Sequence, residues 1–383
     1  MGDFSGASRR EFLGGAIAAG ALAAGNDVLA ADAPASQPTS QPDRPKPAPW
    51  QAISDRKIRV GIVGGGFGSQ FHWHQHPNCM VEAVSDLQTD RRELLMTTYG
   101  CQKSYESLEK LIEDDRIEAV AIFTDAPSHG KHVQACMARG KHVISAVPAA
   151  VTLEDCEAIK AATEKSGLHY MMAETTYFRR PTIEARNLYR GDRKLLYTEG
   201  QYYHDKVTLL PSFNNWRYAL PPMLYPTHAI GFYVAVTGKR LTRVSCLGHR
   251  GAGEQWETNR WDNNPFACES ALFETSEQTM CRVNVFWECD PDSDGETGSW
   301  IWQNQDSTRV PDQVSIPPGM SYGGHGGSHG PLVNEFLTAL IQNRDPAVNV
   351  REALALTAPG ILAHRSALKG GEQLHVPQYD SNT

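Results

Sequence analysis

The stretch KIRVGIVGGGFGSQFH at residues 57–72 decides the fold of this chain. Its first part, IRVGIV at 58–63, is a short apolar run typical of a strand that is buried on both faces. A glycine-rich turn follows at once, with the spacing G-x-G-x-x-S formed by Gly64, Gly66 and Ser69. In the dinucleotide fingerprint the first glycine allows a tight turn, and the second lets the backbone approach a pyrophosphate at a helix N-terminus. The stretch therefore predicts the first strand and turn of a dinucleotide-binding domain.

A second strand, at 81–85, ends in Asp86, which lies 22 positions after Gly64. An acidic residue about 20 positions past the first glycine binds the ribose hydroxyls of the adenosine half in such domains. Its negative charge repels a 2′-phosphate, so Asp86 favours NAD over NADP.

Strand and helix patterns then alternate as far as residue 173. We predict helices at 91–99, 107–113, 132–139 and 153–164, and strands at 119–123, 142–145 and 169–173. The alternation indicates a doubly wound parallel sheet that binds its ligand at the carboxyl ends of the strands. We also expect a helix directly after the glycine turn, carrying His72, His74 and His76.

Three segments give the chain a resemblance to a known family: VGIVGGGFGSQFH, TDAPSH at 124–129 and GKHVISAVPAA at 140–150. Together they resemble the Gfo/Idh/MocA oxidoreductases. The resemblance implies an α/β fold with an N-terminal Rossmann domain, which we place at 56–178. It also implies a C-terminal α/β domain with a large open antiparallel sheet, which we place at 179–383. Members of the family act on sugars and polyols with nicotinamide cofactors, and we expect a homo-oligomer formed through the open sheet.

The resemblance also carries cofactor positions onto this sequence. Binding of NAD is expected from Gly64, Gly66, Phe67, Gly68, Ser69, Asp86, Thr124, His129 and Pro148. Thr124 and His129 belong to the strand-end segment that lines the nicotinamide side of the site in the family.

The chain departs from the family at residues that handle protons. Val147 stands where most of the dehydrogenases carry a lysine beside the substrate hydroxyl, and valine has no proton to exchange. Leu224 stands where they carry an aspartate. Together with the segment LYPTHAIG at 224–231, these two departures resemble a branch of NAD-dependent glycosidases related to α-N-acetylgalactosaminidase. One position differs from that branch, because Ala146 stands where it usually carries a glutamate. There NAD oxidises C3 of the sugar, the glycosidic group is eliminated, water adds and the hydride returns.

The candidate catalytic residues are Tyr225 and His228, which lie three positions apart at the start of a predicted helix. Imidazole titrates near neutral pH and a phenol can share its proton, so the two suit acid–base chemistry. Tyr177 is a third catalytic candidate, for which a purely structural role is the alternative.

The candidate substrate-binding residues are Glu174, Arg217 and His325. A structural role is the alternative for Glu174, and a surface ion pair is the alternative for Arg217. We assign no metal, because His325 and His329 supply only two ligands and a metal site needs three or four.

The N-terminus predicts export. SRREFL at 8–13 fits a twin-arginine signal, and the apolar run after it is shorter than the ~20 residues that a membrane-spanning helix needs. We assign 1–33 to a cleaved signal peptide and 34–55, rich in proline and serine, to a linker. We therefore expect a periplasmic or otherwise extracytoplasmic protein that is exported folded, with no stable membrane insertion after cleavage.

Export restricts the reaction, because free NAD is scarce outside the cytoplasm. An exported enzyme must carry NAD tightly bound and regenerate it on the protein. A net redox-neutral cycle, such as glycoside cleavage through a 3-keto intermediate, meets this condition, and so does a sugar–sugar oxidoreductase. A sugar or polyol dehydrogenase and a non-catalytic sugar-binding protein on a Rossmann scaffold remain as alternatives.

The resemblance implies a carbohydrate as the partner, and the composition bears only on nucleic acid. A net charge of −8 and an isoelectric point near 6.0 argue against a nucleic-acid partner. The eight cysteines include no C-x-x-C pair, so we expect buried free thiols.

Overall fold

The computed structural model describes residues 48–190, 194–205, 207–290, 295–302 and 314–380. The expected signal peptide at 1–33 and most of the expected linker lie outside these ranges. No helix in the described part of the chain has both the length and the apolar character to cross a bilayer. All eight cysteines fall within the described ranges, and all are free thiols.

The first domain is built on a six-stranded parallel sheet, here called sheet A. Its strands are β1 (Ile58–Val63), β2 (Cys79–Ser85), β3 (Ser104–Tyr105), β4 (Ala119–Ile122), β5 (His142–Ser145) and β6 (Tyr170–Met172). Their spatial order is β3-β2-β1-β4-β5-β6, so the order reverses between β1 and β4. This is the doubly wound Rossmann arrangement, and it confirms the predicted fold class for this part of the chain.

Four helices connect the strands of sheet A. They are α1 (Thr89–Tyr99), α2 (Leu108–Leu111), α3 (His129–Ala138) and α4 (Leu153–Ser166). The bounds of α4 follow from local chemistry. The Thr152 hydroxyl accepts the N–H of Asp155 at its start, and Gly167 takes a left-handed conformation (φ 65°) at its end.

The helix expected directly after the glycine turn is absent from this part of the described chain. Two short 3₁₀ turns, Phe67–Gln70 and Trp73–Gln75, take its place. The hydroxyl of Tyr99, at the end of α1, hydrogen-bonds to the backbone carbonyls of Gly68 and Phe71. These contacts hold the segment against the end of α1 in its non-helical course, and the prediction of this helix is wrong.

The second domain is built on a six-stranded sheet, here called sheet B. Its strands are β7 (Leu195–Tyr203), β8 (Leu241–Arg250), β9 (Phe266–Thr275), β10 (Met280–Phe286), β11 (Gly295–Trp302) and β12 (Leu374–His375). They are ordered β11-β7-β10-β9-β8-β12, and every neighbouring pair is antiparallel except β7 with β10. The expected open antiparallel sheet is therefore confirmed in its main features, with one parallel pair.

Four further helices pack on the sheets: α5 (Arg180–Arg190), α6 (Thr227–Thr237), α7 (His329–Gln342) and α8 (Val350–Leu368). All eleven residues of α6 are buried. The helix lies directly on sheet B, because a Cβ atom added to Gly200 of β7 would come within 1.9 Å of the Ala229 carbonyl oxygen. Strand β7 thus holds the first turn of α6 in contact with the sheet.

Helix α8 contacts both domains. The hydroxyl of Thr357 accepts the N–H of Ala149, in the loop after β5, at 3.3 Å. The hydroxyl of Ser366 accepts the N–H of Cys246, in β8, at 2.9 Å. The C-terminal helix therefore ties the Rossmann domain to sheet B.

Candidate active site

One cleft of about 530 Å³ runs from the carboxyl ends of β1 and β2 to the start of α6. Both domains contribute to its walls. Its lining includes Gly64, Gly66, Phe67, Asp86, Thr124, Ala146, Val147, Tyr202, Trp216, Arg217, Tyr225, His228 and His325. The predicted cofactor end and the predicted catalytic end thus belong to one continuous space.

The glycine turn forms the first wall of the cleft. Gly64 has φ +99°, and a Cβ atom there would lie 2.3 Å from the Phe123 carbonyl oxygen, so only glycine fits. A Cβ atom on Gly66 would meet only Nη1 of Arg91, at 3.7 Å, because this residue faces open space. The turn therefore presents bare backbone to the cleft at Gly66, as the approach of a pyrophosphate requires.

Asp86 joins the glycine turn to the end of β2. Its Oδ2 accepts the N–H of Gly65 at 2.7 Å, and its Oδ1 accepts the N–H of Gln88 at 2.8 Å. Each carboxylate oxygen keeps a second lone pair for another donor. The residues present therefore fit NAD: Gly64 and Gly66 to receive the pyrophosphate, and Asp86 to accept ribose hydroxyls.

The other predicted cofactor residues divide into two groups. Phe67 and Thr124 line the cleft. Gly68 lies behind it, where a Cβ atom would come within 2.8 Å of the Phe123 ring. Ser69 donates its hydroxyl to the Gly66 carbonyl at 2.9 Å, so it supports the turn from outside.

His129 and Pro148 also lie behind the cleft wall. His129 is buried, with Nδ1 2.7 Å from the Pro148 carbonyl oxygen and Nε2 3.2 Å from the Thr124 carbonyl oxygen. The two residues hold the ends of β4 and β5 together. Their predicted contact with NAD stays a prediction, and the polar atoms of His129 face the carbonyl oxygens of Pro148 and Thr124.

His228 and Glu174 form a buried ion pair at the far end of the cleft. His228, in the first turn of α6, places Nδ1 2.8 Å from Oε1 of Glu174, which follows β6. Glu174 is fully buried and His228 is 3% exposed. The same Oε1 accepts the N–H of Thr176 at 2.8 Å, which fixes the carboxylate.

The pair is charged at neutral pH. Burial lowers the pKa of His228, but the charges of Glu174 and Glu296 outweigh it and raise the pKa to about 9. Burial raises the pKa of Glu174, but the charge of His228 and its hydrogen bond outweigh burial and lower that pKa. Since Nδ1–H of His228 donates to Glu174, Nε2–H is the donor that the ring retains for the cleft.

Tyr225 and Arg217 form a second polar group in the cleft. The Tyr225 ring centre lies 5.6 Å from that of His228. The guanidinium carbon of Arg217 lies 4.6 Å from the ring centre of Trp216 and 5.8 Å from that of Tyr225. Burial raises the pKa of Tyr225 although Arg217 opposes it, so the phenol stays protonated at neutral pH.

Two other predicted residues take different places from those expected. Tyr177 lies outside the cleft, where its hydroxyl donates to Oε2 of Glu352 at 2.5 Å and burial raises its pKa. The contact with Glu352 is the structural role given as the alternative, and the catalytic role of Tyr177 stays a prediction. Glu174, predicted to bind substrate, instead lies beneath His228 and holds that imidazole in its protonated form.

His325 belongs to the turn Gly324–Gly327 and lines the cleft. Its φ and ψ are both 50°, a left-handed conformation that costs a non-glycine residue roughly 1–2 kcal/mol. Its Nδ1 lies 2.9 Å from Nε2 of His329, whose own Nδ1 lies 3.2 Å from the Gln70 carbonyl oxygen. Among the described residues, no three side chains of His, Cys, Asp or Glu are grouped so that they could hold a metal ion.

Sequence reasoning missed two residues that influence the site. Tyr202 of β7 has its ring centre 4.9 Å from that of His228. Glu296 of β11 is bonded to Arg179 and helps to raise the pKa of His228. Alternation along β7 marks Tyr202 as inward-facing, but that pattern is equally typical of a core residue.

Comparison with known proteins agrees with this geometry. Residues 58–174 match the model of an oxidoreductase family with an NAD-binding Rossmann fold. Glycosyl hydrolase family 109 protein 2 of Akkermansia muciniphila is 24% identical over 97% of this chain and 96% of its own length.

Two solved structures share the fold of both domains. Levoglucosan dehydrogenase, in complex with NADH and levoglucosan, superposes with a TM-score of 0.70 at 17% identity, over 84% of this chain and all of its own. Aldose–aldose oxidoreductase from Caulobacter crescentus superposes with a TM-score of 0.67 at 15% identity, over 84% of this chain and all of its own. Residues 58–174 are thus identified as an NAD-binding Rossmann domain of the Gfo/Idh/MocA oxidoreductase type.

Proposed function

We propose that the protein cleaves a glycoside through a transient keto sugar, in a net redox-neutral cycle with tightly held NAD. The observation that carries the proposal is the cationic His228 in the same cleft as the glycine turn and Asp86. The likeness to a family 109 glycosyl hydrolase over nearly the whole chain supports this reaction over simple sugar oxidation.

NAD, when bound, supplies a hydride acceptor that converts a ring hydroxyl to a ketone and later returns the hydride. A ketone acidifies the hydrogen on the neighbouring carbon, so the glycosidic oxygen can leave by elimination and water can add in its place. The sum is glycoside plus water giving free sugar plus alcohol, with no net change in the cofactor.

The residues of this chain serve that sequence in distinct ways. His228 donates Nε2–H to the sugar oxygen that gains negative charge, and Glu174 keeps the imidazole protonated. Tyr225 retains its proton for the departing glycosidic oxygen. Arg217 offers its fork of donors to substrate hydroxyls.

The apolar part of the cleft suits a sugar as well. Tyr202, Trp216 and Tyr225 present aromatic faces to the space near His228, and the C–H faces of sugars stack on such rings.

Ala146 and Val147 form the wall where the dehydrogenases of the family carry proton-exchanging side chains. Proton transfer in this protein therefore depends on Tyr225 and on the histidines of the cleft, His228 and His325.

The first test needs no added cofactor. NAD should be found by mass spectrometry after denaturing the purified full-length chain, and a panel of 4-nitrophenyl glycosides should then be assayed in D₂O. We expect nitrophenolate release, no accumulation of reduced cofactor at 340 nm, and one carbon-bound deuterium in the sugar product. His228→Gln should lower the rate by about 100-fold or more, as expected for loss of a charged donor.

Other outcomes would contradict the proposal. Oxidised sugar in amounts equal to reduced cofactor would indicate a dehydrogenase. Oxidation of one sugar with reduction of another would indicate a sugar–sugar oxidoreductase, the activity for which the structural neighbour from Caulobacter crescentus is named. Hydrolysis without carbon-bound deuterium would exclude the keto route.

We further propose that the enzyme is exported folded, with NAD already in place. The support is the twin-arginine pattern at Arg9 and Arg10, which lies outside the described residues. Changing both arginines to lysine should leave folded, NAD-containing protein in the cytoplasm. Equal export of the variant and the parent, measured by fractionation, would contradict this.

A further inference from the structure

We propose that Glu269 is a positioning residue for the reaction, which fixes the turn that carries Tyr225 from outside the cleft. Its carboxylate acts through the backbone of Met223 and is itself held by His364. The inference rests on the proposed function, since it concerns the proton that Tyr225 gives to the departing glycosidic oxygen.

Glu269 is a carboxylate at a core position. It belongs to β9, whose other inward-facing side chains include Ala267, Ala271 and Phe273, all apolar and buried. Glu269 is fully buried among them. A buried carboxylate is costly unless hydrogen bonds satisfy it, so the partners of Glu269 indicate its role.

The two oxygens of this carboxylate bind partners from two different elements. Oε1 lies 2.8 Å from Nδ1 of His364, a buried residue of α8. Oε2 accepts the backbone N–H of Met223, which is also buried, at 2.7 Å. Since the cleft lining includes none of these three residues, the carboxylate connects α8 and sheet B to the turn before Tyr225 from behind the site.

The turn has few backbone donors of its own. Pro221 and Pro222 have no N–H group. The N–H of Leu224 donates to the Pro221 carbonyl at 2.9 Å. The N–H of Tyr225 donates to the Pro222 carbonyl at the same distance. The N–H of Met223 is therefore the donor by which this turn is bonded to β9.

Helix α8 also packs directly against the turn. A Cβ atom on Gly360 would lie 2.2 Å from the Met223 carbonyl oxygen and 2.3 Å from Cγ of Pro226. His364 lies four positions after Gly360, so both residues are on the same face of α8. The helix thus contacts the turn at one point and holds the carboxylate of Glu269 at another.

The substrate-binding part of the cleft is held by other contacts. The Trp216 carbonyl accepts Nε1–H of Trp261 at 3.1 Å. The guanidinium carbon of Arg217 lies 4.6 Å from the ring centre of Trp216. Loss of the Glu269 carboxylate should therefore displace Tyr225, while Trp216 and Arg217 keep their places.

The first experiment compares turnover with substrate binding. The full-length, NAD-containing Glu269→Leu variant is assayed with the 4-nitrophenyl glycoside that the parent enzyme cleaves. We expect kcat to fall by about 10- to 100-fold and KM to stay within about threefold, because a displacement of about 1 Å slows catalysis by such factors. Where Glu269→Leu does not fold, Glu269→Asp replaces it, since its shorter side chain cannot reach both partners.

Two further variants separate positioning from stability. Glu269→Gln should keep most of the activity, because its amide oxygen accepts the N–H of Met223 and its NH₂ group donates to the other tautomer of His364. Phe273→Leu is the matched control, at a fully buried position on the same inward face of β9. It should lower the melting temperature and leave kcat close to that of the parent.

A double-mutant cycle tests whether Glu269 acts through Tyr225. In the Tyr225→Phe background the phenol proton is already absent, so Glu269→Leu should lower kcat by no more than about twofold. An equal loss of kcat in both backgrounds would overturn the proposal. So would a loss of kcat in Phe273→Leu as large as that in Glu269→Leu.

A measurement without substrate keeps the two proposals apart. Hydrogen–deuterium exchange, read by mass spectrometry, should be faster over residues 219–228 in Glu269→Leu than in the parent or in Phe273→Leu. Unchanged exchange there would overturn the positioning role. If the parent enzyme cleaves no glycoside, the proposed function is wrong, and the exchange still decides whether Glu269 fixes the turn. If the parent enzyme is active and Glu269→Leu keeps its kcat, the positioning role is wrong while the function stands.

Discussion

At the residue scale, the chemistry of the cleft depends on pairs that are distant in the sequence. His228 could be found because it follows Tyr225 by three positions at a helix start. Its partner Glu174 lies in the other domain, and no spacing rule connects the two. The sequence therefore allowed the prediction of an imidazole in the site, but not that the imidazole is charged.

The ion pair makes stability depend on pH. The pKa of His228 is raised above its ordinary value of 6.5, to about 9, so its stabilising effect is complete below pH 6.5 and is lost as the pH rises through 9. Glu174→Gln should remove this dependence. Between pH 6 and 10, the free energy of unfolding should fall by on the order of 3 kcal/mol more in the parent than in the variant. Urea denaturation at several pH values measures this, and parallel pH curves would contradict it.

Gly64→Ala and Gly66→Ala form a matched pair of variants that tests the cofactor site. Gly64→Ala should destabilise the protein by a few kcal/mol even without cofactor, because the positive φ and the contact with Phe123 both exclude a methyl group. Gly66→Ala should leave the stability of cofactor-free protein within about 0.5 kcal/mol, since its Cβ faces open space. It should nevertheless reduce the gain in melting temperature that added NAD gives. An equal gain in the parent and in Gly66→Ala would show that NAD does not approach this backbone.

At the element scale, the strands of sheet A other than the two-residue β3 could be predicted, and so could the helices α1, α2, α3 and α4, because buried runs and caps are local signals. The helix after the glycine turn could not be excluded, because the contacts that hold this segment in its observed course come from Tyr99, about thirty positions later. The parallel pairing of β7 with β10 was also missed, because the order of strands in a sheet is set by contacts between segments that are distant in the sequence.

The contact of α6 with β7 gives a prediction about one helix. Gly200→Ala should push α6 away from sheet B, because its Cβ would overlap the carbonyl oxygen of Ala229, the residue after His228. We expect a loss of roughly 2–3 kcal/mol in stability and a marked loss of activity. Thermal unfolding and the glycoside assay measure the two effects.

Gly238, at the C-terminal end of the same helix, provides the control. Its φ is +66° and nothing lies within 4 Å of an added Cβ, so Gly238→Ala should cost about 1 kcal/mol and leave activity unchanged. Equal loss of activity in both variants would show that the site responds to helix stability in general and not to the contact at Gly200.

At the scale of the whole molecule, sheet B presents apolar side chains on its outer face. Leu247, Leu272, Met280 and Ile301 are between 47% and 66% exposed there. Exposed apolar side chains on one face of a sheet are one feature of a protein interface, so the expectation of a homo-oligomer through this sheet stays a prediction.

A charge on this face should separate the subunits. Leu272 lies between Ser245 of β8 and Arg282 of β10 in the register of the sheet, near the centre of the face. Leu272→Glu should shift the protein to monomers in analytical ultracentrifugation. Leu94→Glu, at an equally exposed position of α1, should not. A parent protein that sediments as a monomer would contradict the prediction outright.

Helix α8 also has a consequence for the order of events during synthesis. Thr357 bonds to the loop after β5, 208 positions earlier in the chain, and Ser366 bonds to β8. The Rossmann segment therefore lacks this neighbour until α8 has been synthesised. We expect the dinucleotide to bind only after that point, in the compartment where translation takes place.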